Sequence, residues 1–343
     1  MKIAIVTPYG KVYSKDKLFD SSVCKIGQNL LLPGIKLKEA LEKDGHEYHT
    51  VDMYSNIEEI DVWVFQDLNN SSRITCNTLM DYLRYTLKQK WKSDYLYLYS
   101  KLKSTKKAVL IMQEPQTVFP KTYDVKYHQL FNRILTWDSS LIDNRRYFGF
   151  HYPQVKPDIN YSCAYEEKKY MTMICGNKSS FDKNELYTER KKLIRYFEKK
   201  NVEFDLYGIG WLKENRKSYC GIVDDKLSTL SKYKFSICFE NMKSTNGYIT
   251  EKIFDCFFAG CIPIYYGAED ILEYVPNGTF IDYRRFNSLD MMNDYLCNMG
   301  KAEYQEIQNN IKDYLNSDLY KGIFSIDAYV SCMVNAITNW GID

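Results

Sequence analysis

The chain has 343 residues, of which 45% are hydrophobic and 26% charged, a balance typical of folded soluble proteins and long enough for two domains. Its 46 Lys and Arg residues nearly cancel its 44 Asp and Glu residues, and the net charge of +2 argues against nucleic acid as a partner. The four His residues leave little material for a histidine-centred active site, which favours chemistry carried by carboxylates and cations.

In the first half of the chain, short apolar runs alternate with helical stretches, which predicts βαβ units and a parallel sheet. A helix is predicted to end at Asp44-Gly45, and the last strand of this half is cut off by Glu114-Pro115. The predicted strands are Lys2–Val6, Glu47–Val51, Ile60–Phe65 and Ala108–Gln113, and the predicted helices are Ile35–Lys43 and about Thr78 to Lys103.

The same alternation restarts near Tyr170. The predicted strands are Met171–Cys175, Glu203–Tyr207, Phe235–Phe239 and Cys261–Tyr265, and the predicted helices are Asn184–Lys199 and Ile249–Ala259. We therefore predict an α/β protein of two doubly wound domains with a cleft between them, covering residues 1–155 and 156–325. Residues 326–343 are expected to form a helix that packs back on the first domain.

The location of the protein follows from its apolar runs and its cysteines. The opening run is too short for a signal peptide, and the strongest apolar run, residues 256–268, is too short to span a bilayer. The ten Cys residues are scattered without a Cys-x-x-Cys pair, which indicates reduced thiols. The sequence therefore predicts a soluble cytoplasmic protein.

Familiar nucleotide and metal motifs are missing from the sequence. Gly208-Ile209-Gly210 lacks the third glycine of a dinucleotide-binding turn, and there is no P-loop. No Asp-x-Asp pair is present to hold a divalent metal against a nucleotide diphosphate.

The segment from Phe239 to Ala268 carries the most information. A predicted strand ends at Glu240-Asn241, a polar loop follows, and a helix is predicted to begin near Tyr248–Thr250, with Tyr248, Glu251 and Lys252 in its first turn facing the cleft. The free N–H groups of a helix N-terminus, together with Lys252, suit a diphosphate, and Glu251 suits a ribose diol. Chemistry alone leaves open a capping Thr beside a solvated Glu-Lys pair.

Phe-Glu-Asn at 239–241, Gly-Tyr-Ile-Thr-Glu-Lys-Ile at 247–253 and Ala-Gly-Cys-Ile-Pro-Ile-Tyr-Tyr-Gly at 259–267 resemble the donor-binding signature of the family 10 glycosyltransferases, the α-1,3/4-fucosyltransferases. The resemblance extends to Tyr219–Gly221, Lys226 and Phe280–Asp282. It implies a GT-B fold of two Rossmann-like domains, a GDP-fucose donor bound by the C-terminal one, inverting transfer, and no obligatory cofactor or divalent metal.

The resemblance also implies the residues that contact the donor. Lys252 is expected to face the diphosphate, Glu251 the ribose, and Tyr248 the phosphate or fucose. The family holds the diphosphate with an Arg early in the first helix of the donor domain, for which Arg190 is the first choice. A solvated charge run is the alternative reading of Arg190. The full set of candidates is Arg190, Asn241, Tyr248, Glu251 and Lys252, followed by Glu240, Lys226 and Arg195.

Inverting transfer needs a carboxylate that removes the proton of the acceptor hydroxyl. Glu114 directly follows a predicted strand, and Gln113-Glu114-Pro115 resembles the segment of animal family members in which the Glu is the proposed base. We therefore predict that Glu114 is the base. A carboxylate that only caps the strand is the alternative.

Without the membrane anchor and lumenal disulfides of animal members, the chain resembles soluble bacterial members that modify lipopolysaccharide or another surface glycan. The expected partners are a GDP-sugar and an oligosaccharide or glycolipid acceptor. Between Asp81 and Lys107, eight Lys and Arg residues stand against two Asp residues, a net charge of +6, with six interleaved aromatic residues. This stretch predicts a peripheral membrane contact, with a solvated helix as the alternative.

Two other functions remain open from the sequence. The same fold could use another nucleotide sugar, since nothing in the signature reads the methyl group of fucose. A non-catalytic sugar- or membrane-binding scaffold is the second alternative.

Overall fold

The computed structural model describes residues 1–23, 29–70, 94–157, 161 and 163–341. That part of the chain forms two compact units. The first contains the described residues up to Phe150 together with residues 329–341, and the second contains the described residues from His151 to Ala328.

The first unit is built on a parallel sheet of six strands in the order β2-β1-β3-β4-β5-β6. Its central strands are almost wholly apolar and buried, as expected for a parallel sheet covered on both faces. The strand order reverses between β1 and β3, and a ligand crevice is expected at their carboxyl ends. The strands are β1 Lys2–Val6, β2 Glu47–Thr50, β3 Val62–Gln66, β4 Lys107–Met112, β5 Arg133–Thr136 and β6 Tyr147–Gly149.

In the described residues before Phe150, the helices of the first unit are α1 Leu32–Lys43, α2 Tyr95–Leu102 and α3 Val125–His128. Helix α1 confirms the predicted stop, since it ends at Lys43 and Gly45 has a φ of +78°. It starts earlier than predicted because Pro33 fits the first helical turn. Helix α2 lies within the helix predicted up to Lys103. Residues 78–93 of that prediction, and with them about half of the basic stretch from Asp81 to Lys107, lie outside the described residues.

The second unit is built on another parallel sheet of six strands, in the order β12-β11-β10-β7-β8-β9. The chain runs outward from β7 through β8 to β9, and then returns to the other side of β7 to form β10. The order therefore reverses between β7 and β10, and a ligand crevice is expected at their carboxyl ends. The strands are β7 Lys169–Ile174, β8 Phe204–Tyr207, β9 Tyr219–Gly221, β10 Tyr233–Phe239, β11 Ile262–Tyr266 and β12 Ile281–Asp282.

Helices connect these strands and extend the core of the second unit. Helix α6 buries Ile253, Phe254 and Phe257, and the ring centroid of Phe254 is 4.6 Å from that of Phe324. The helices are α4 Tyr187–Lys200, α5 Lys226–Ser231, α6 Glu251–Phe258, α7 Ile271–Tyr274, α8 Leu289–Asn298, α9 Lys301–Asn316 and α10 Asp318–Phe324.

The last helix, α11 Ile326–Thr338, begins in the second unit and ends in the first. Arg133 of β5 donates hydrogen bonds to the carbonyl oxygens of Asn335 and Ala336 at 3.2 and 3.1 Å. Its guanidinium also lies 4.7 Å from the ring centroid of Trp340. These contacts fasten the C-terminal residues within the first unit.

The Gly208-Ile209-Gly210 turn follows β8 and packs against the residues that follow β7. Gly208 has a φ of +130°, and a Cβ atom there would lie 2.0 Å from the carbonyl oxygen of Cys175. The amide of Asn177 donates to the carbonyl oxygen of Ile209 at 2.9 Å. The glycine is therefore required for close packing of two loops.

Among the residues that the structure describes, every helix is too short or too polar to cross a lipid bilayer.

Candidate active site

A buried carboxylate organises the carboxyl end of β10. The Glu240 side chain is fully buried, and its Oε1 accepts a hydrogen bond from the amide of Thr250 at 2.9 Å. Its Oε2 lies 2.8 Å from the hydroxyl of Thr250 and 3.0 Å from Lys252 Nζ. Burial of a carboxylate is costly unless such donors compensate it. Glu240 therefore ties the end of β10 to the start of α6.

This arrangement corrects the predicted start of the helix. Thr250 keeps an extended backbone, with ψ near −171°, and α6 begins at Glu251, so Tyr248 does not lie in the first turn. The Tyr248 side chain is buried, with 1% of its surface exposed. The interaction with Glu240 explains the difference, because it holds Thr250 in a capping position just before the helix.

Arg190 lies on α4 with only 5% of its surface exposed. Its Nη2 donates to the carbonyl oxygens of Phe239 and Glu240, at 2.6 and 2.8 Å, and to Oδ1 of Asn241 at 3.2 Å. The Asn241 side-chain amide donates in turn to the Tyr248 hydroxyl at 3.4 Å. A chain of hydrogen bonds thus joins α4, the end of β10 and the loop before α6.

Charges at the start of α6 keep their ionised forms at neutral pH. Burial acts to lower the pKa of Lys252, but the carboxylates of Glu240 and Glu251 outweigh it and raise that pKa. Desolvation acts to raise the pKa of Glu251, but Lys252 and Lys226 lower it to about 2. The Glu251 side chain is 52% exposed and the Lys252 side chain 24%, so both are accessible to a ligand.

Lys226 belongs to the same charged cluster. It opens α5, and its Nζ lies 2.5 Å from Oδ2 of Asp255. Burial raises the pKa of Asp255 to about 6 against the opposing effect of Lys226. Burial acts to lower the pKa of Lys226, but Asp255 and Glu251 raise it. Lys226 therefore helps to keep Glu251 ionised at the start of α6.

Arg195 is the one predicted donor contact that the structure keeps apart from this cluster. It is exposed on α4, five residues and about 140° of helical rotation beyond the buried Arg190. The helix therefore presents Arg190 to the carboxyl end of β10 and Arg195 to another side. Between the two arginines considered from the sequence, the geometry favours Arg190.

In the first unit, Glu114 stands just after β4 with its backbone held on both sides. The amides of Gln113 and Glu114 donate to the two carboxylate oxygens of Asp67, each at 3.0 Å. The hydroxyl of Tyr123 donates to the Glu114 carbonyl oxygen at 2.9 Å. The Glu114 side chain accepts a hydrogen bond from the hydroxyl of Tyr9 at 3.2 Å.

Sequence reasoning missed Asp67 and Tyr9. Asp67 is buried with a φ of +52°, and burial raises its pKa well above the usual range, against the two amides that stabilise its charge. Tyr9 follows β1 and Asp67 follows β3, the two parallel strands between which the strand order reverses. That position was the available signal, since Glu114 was found by the same criterion.

No group of three or more His, Cys, Asp or Glu side chains is placed to hold a metal ion within the described part of the chain. The positively charged groups at the carboxyl end of β10 are Arg190 and Lys252, supported by Lys226. Such an arrangement suits an anionic ligand at a helix N-terminus.

Residues 166–316 match the C-terminal domain of glycosyltransferase family 10 (fucosyltransferase). This part of the chain is therefore similar to the family 10 domain. Its matched region contains every donor-contact candidate discussed above, including Arg190 and Lys252.

Known fucosyltransferases resemble this chain over limited segments. An α-(1,3)-fucosyltransferase of Helicobacter pylori is 39% identical over 74 residues, which cover 22% of this chain and 15% of that relative. The mouse 4-galactosyl-N-acetylglucosaminide 3-α-L-fucosyltransferase 9 is 29% identical over 140 residues, which cover 39% of this chain and 34% of that relative. The aligned segments thus span about a third or less of these curated relatives.

A solved structure extends the similarity of fold beyond residues 166–316 to the whole chain. The crystal structure of an α1,3-fucosyltransferase with GDP-fucose superposes with a TM-score of 0.52 and 16% identity, covering 100% of this chain and 91% of that protein. The predicted GT-B fold, with two parallel Rossmann-like sheets, is confirmed.

Proposed function

We propose that this chain transfers L-fucose from GDP-fucose to a hydroxyl group of a glycan, with inversion at the anomeric carbon. The observation that carries the proposal is the cluster of Arg190, Glu240 and Lys252 at the strand-order reversal of a region similar to the family 10 domain. Both curated relatives are named fucosyltransferases, and the solved relative is described with GDP-fucose, which supports the same donor here.

In this proposal the donor diphosphate binds at the start of α6. Lys252 supplies a positive charge and is oriented by Glu240, while the first N–H groups of α6 add their partial charges. Arg190 is close enough to act on the pKa of Lys252 by repulsion, so a second cation lies in the same region. Together they stabilise the negative charge that develops on GDP as its bond to fucose breaks.

Glu251 receives the ribose. Its carboxylate is ionised at neutral pH and more than half exposed, so it accepts hydrogen bonds from the two ribose hydroxyls. Asn241 and Tyr248 are proposed to complete the donor contacts. A hydrogen bond between their side chains holds them next to each other.

Glu114 acts as the base. The acceptor oxygen forms a bond to the anomeric carbon of fucose as the bond to GDP breaks, and the hydroxyl proton passes to the Glu114 carboxylate. Asp67 fixes the backbone that carries this carboxylate. Charge on the leaving GDP is balanced by Lys252 and Arg190, so the proposed reaction does not require a divalent ion.

The finer features of the reaction are proposals of the same kind. The acceptor is a glycan containing N-acetylglucosamine, such as a lipopolysaccharide, and the new linkage is α-1,3 or α-1,4. The name of the mouse relative supports an acceptor of this class. A cytoplasmic site of action stays a prediction that cell fractionation tests.

Nucleotide titration tests the donor assignment. We expect calorimetry to give tighter binding of GDP than of UDP or CMP. Lys252→Ala should weaken GDP binding about 10- to 100-fold, because a charge-assisted contact is lost. Lys321→Ala, which removes an exposed lysine from α10 of the same unit, should leave it unchanged. Tight UDP binding with weak GDP binding would exclude fucose as the donor sugar, and no nucleotide binding would exclude an enzyme of this class.

A further inference from the structure

Three aromatic rings meet beside Glu114 in the first unit. The ring centroid of Tyr9 lies 6.0 Å from that of Tyr13 and 5.8 Å from that of Phe119, with interplanar angles of 86° and 75°. Phe119 is brought back toward Glu114 by a turn in which its amide donates to the Pro115 carbonyl oxygen at 3.1 Å. These are edge-to-face contacts that hold the Tyr9 ring in place.

Tyr9 remains accessible although it is held on several sides. The residue is 42% exposed, while its hydroxyl donates to Glu114 Oε1 at 3.2 Å. Desolvation of the hydroxyl and the nearby charges of Glu114 and Asp67 raise the pKa of Tyr9, so the phenol stays protonated at neutral pH. The ring is therefore fixed by its neighbours and by the carboxylate, and it still presents apolar surface to solvent.

A core tyrosine of the same unit shows the contrast. Tyr99 is fully buried among Trp63, Phe65 and Phe131, and its hydroxyl donates to the Leu130 carbonyl oxygen at 3.0 Å. Tyr99 thus serves packing and satisfies its polar group with backbone. Tyr9 differs in both respects, because its ring is exposed and its hydroxyl binds the side chain of the proposed base.

We propose that the exposed surface of Tyr9 binds a pyranose ring of the acceptor and presents one of its hydroxyls to Glu114. This inference rests on the proposed function and deepens it by assigning an acceptor subsite. A pyranose has an apolar C–H face that stacks on an aromatic ring and a rim of hydroxyls that donate hydrogen bonds. A carboxylate has about four acceptor positions, so Glu114 accepts from Tyr9 and from the sugar at once.

The position of the cluster in the fold supports this ligand. Tyr9 follows β1 and Glu114 follows β4, so both lie at the carboxyl edge of the sheet, where ligands of open α/β sheets bind. The exposed aromatic surface and the carboxylate are joined by a hydrogen bond, which places apolar and acceptor groups within the span of one sugar ring.

The test compares Tyr9→Ala and Tyr9→Phe, with a galactosyl-N-acetylglucosaminide disaccharide as the probe. Its dissociation constant is measured by NMR titration in the presence of GDP. Tyr9→Ala should raise this constant about tenfold, as expected for the loss of one aromatic stacking contact. Tyr9→Phe keeps the ring and should stay within about twofold of the wild type, while transfer slows because the hydrogen bond to Glu114 is lost.

Val125→Ala is the matched control, since it removes an exposed apolar side chain from α3 of the same unit. If Tyr9→Ala does not fold, Tyr9→Leu preserves apolar bulk against Tyr13 and Phe119 and replaces it. The inference would be overturned if Tyr9→Ala, or Tyr9→Leu in its place, bound the disaccharide as tightly as the wild type. It would also be overturned if the wild type did not bind the disaccharide. Failure of the wild type to bind GDP would instead contradict the proposed function, because Tyr9 lies outside residues 166–316.

Discussion

At the scale of single residues, the two proposed catalytic tasks fall on side chains held in different ways. Lys252 is oriented by the fully buried Glu240, whereas Glu114 is fixed through its own backbone by Asp67. Such support from surrounding groups keeps reactive groups in a productive geometry before a ligand arrives.

Glu114→Gln should therefore separate chemistry from donor binding. The amide keeps the shape of the side chain but cannot accept the acceptor proton, so transfer from GDP-fucose should fall at least about 100-fold. The dissociation constant for GDP should change by less than about twofold, because the substitution removes none of the proposed donor contacts. Initial rates and calorimetry measure the two quantities. A variant that loses GDP affinity would remove Glu114 from the role of base.

A second residue-scale prediction concerns the response of stability to pH. His151 packs on Tyr274 and Phe324, with ring centroids 5.0 and 5.6 Å away, and burial lowers its pKa to about 4. The unfolded chain binds a proton near pH 6.5, so the unfolded state takes up more protons between pH 6.5 and 4. Stability is therefore lost as the pH falls through this window.

Removal of the titrating ring should remove that part of the pH dependence. Between pH 7 and 5, the free energy of unfolding of the wild type should fall by about 1–2 kcal/mol more than that of His151→Phe. Urea denaturation at the two pH values measures the difference, and other titrating groups cancel in the comparison. The same decrease in both proteins would show that His151 is not held in its neutral form.

At the scale of elements, the glycine after β11 packs closely against the buried carboxylate after β10. A Cβ atom on Gly267 would lie 2.5 Å from Cγ of Glu240 and 2.6 Å from the hydroxyl of Tyr265. The Tyr265 hydroxyl is itself an acceptor for the amide of Ala268 at 3.1 Å. The glycine of the Tyr-Tyr-Gly segment is therefore a packing requirement of the Glu240 site.

Gly267→Ala should accordingly displace Glu240 and weaken both the fold and the donor site. We expect a loss of about 1–3 kcal/mol in the free energy of unfolding, as for other overpacked interiors, together with weaker GDP binding. Gly300→Ala is the control in the same unit, because a Cβ atom there meets nothing within 4 Å. Chemical denaturation and calorimetry provide the readouts. Wild-type GDP affinity in the first variant would show that Glu240 does not position Lys252.

The elements also show what a sequence can predict. Lys2–Val6 was predicted to the residue because a buried parallel strand is a continuous apolar run bounded by a turn. The start of α6 was placed too early because the extended backbone of Thr250 depends on Glu240, ten residues away, which no local pattern contains. The resemblance to family 10 indicates Glu251 and Lys252 as site residues. Their interactions with Lys226 and Glu240 depend on the three-dimensional structure, and no local sequence pattern predicts them.

At the scale of the whole molecule, both units place candidate functional residues at the same kind of position in a parallel sheet. Each parallel sheet reverses its strand order once, between β1 and β3 in the first unit and between β7 and β10 in the second. Polar side chains gather at both reversals, with Asp67 in one unit and Asn241 in the other. The proposed base and the proposed donor contacts thus belong to different compact units. We therefore predict that the stability of one unit can change without loss of the ligand bound by the other.

Trp340→Ala tests this separation. Trp340 lies 4.7 Å from the Arg133 guanidinium and 5.5 Å from Lys107 Nζ, both in the first unit. Loss of these cation–π contacts should lower the free energy of unfolding by about 1–2 kcal/mol. Trp340→Phe keeps a ring and should lose less. GDP affinity should remain at the wild-type value in both variants, because the proposed donor contacts all lie within residues 166–316. A tenfold loss of GDP affinity in Trp340→Ala would show that the C-terminal segment also supports the donor site.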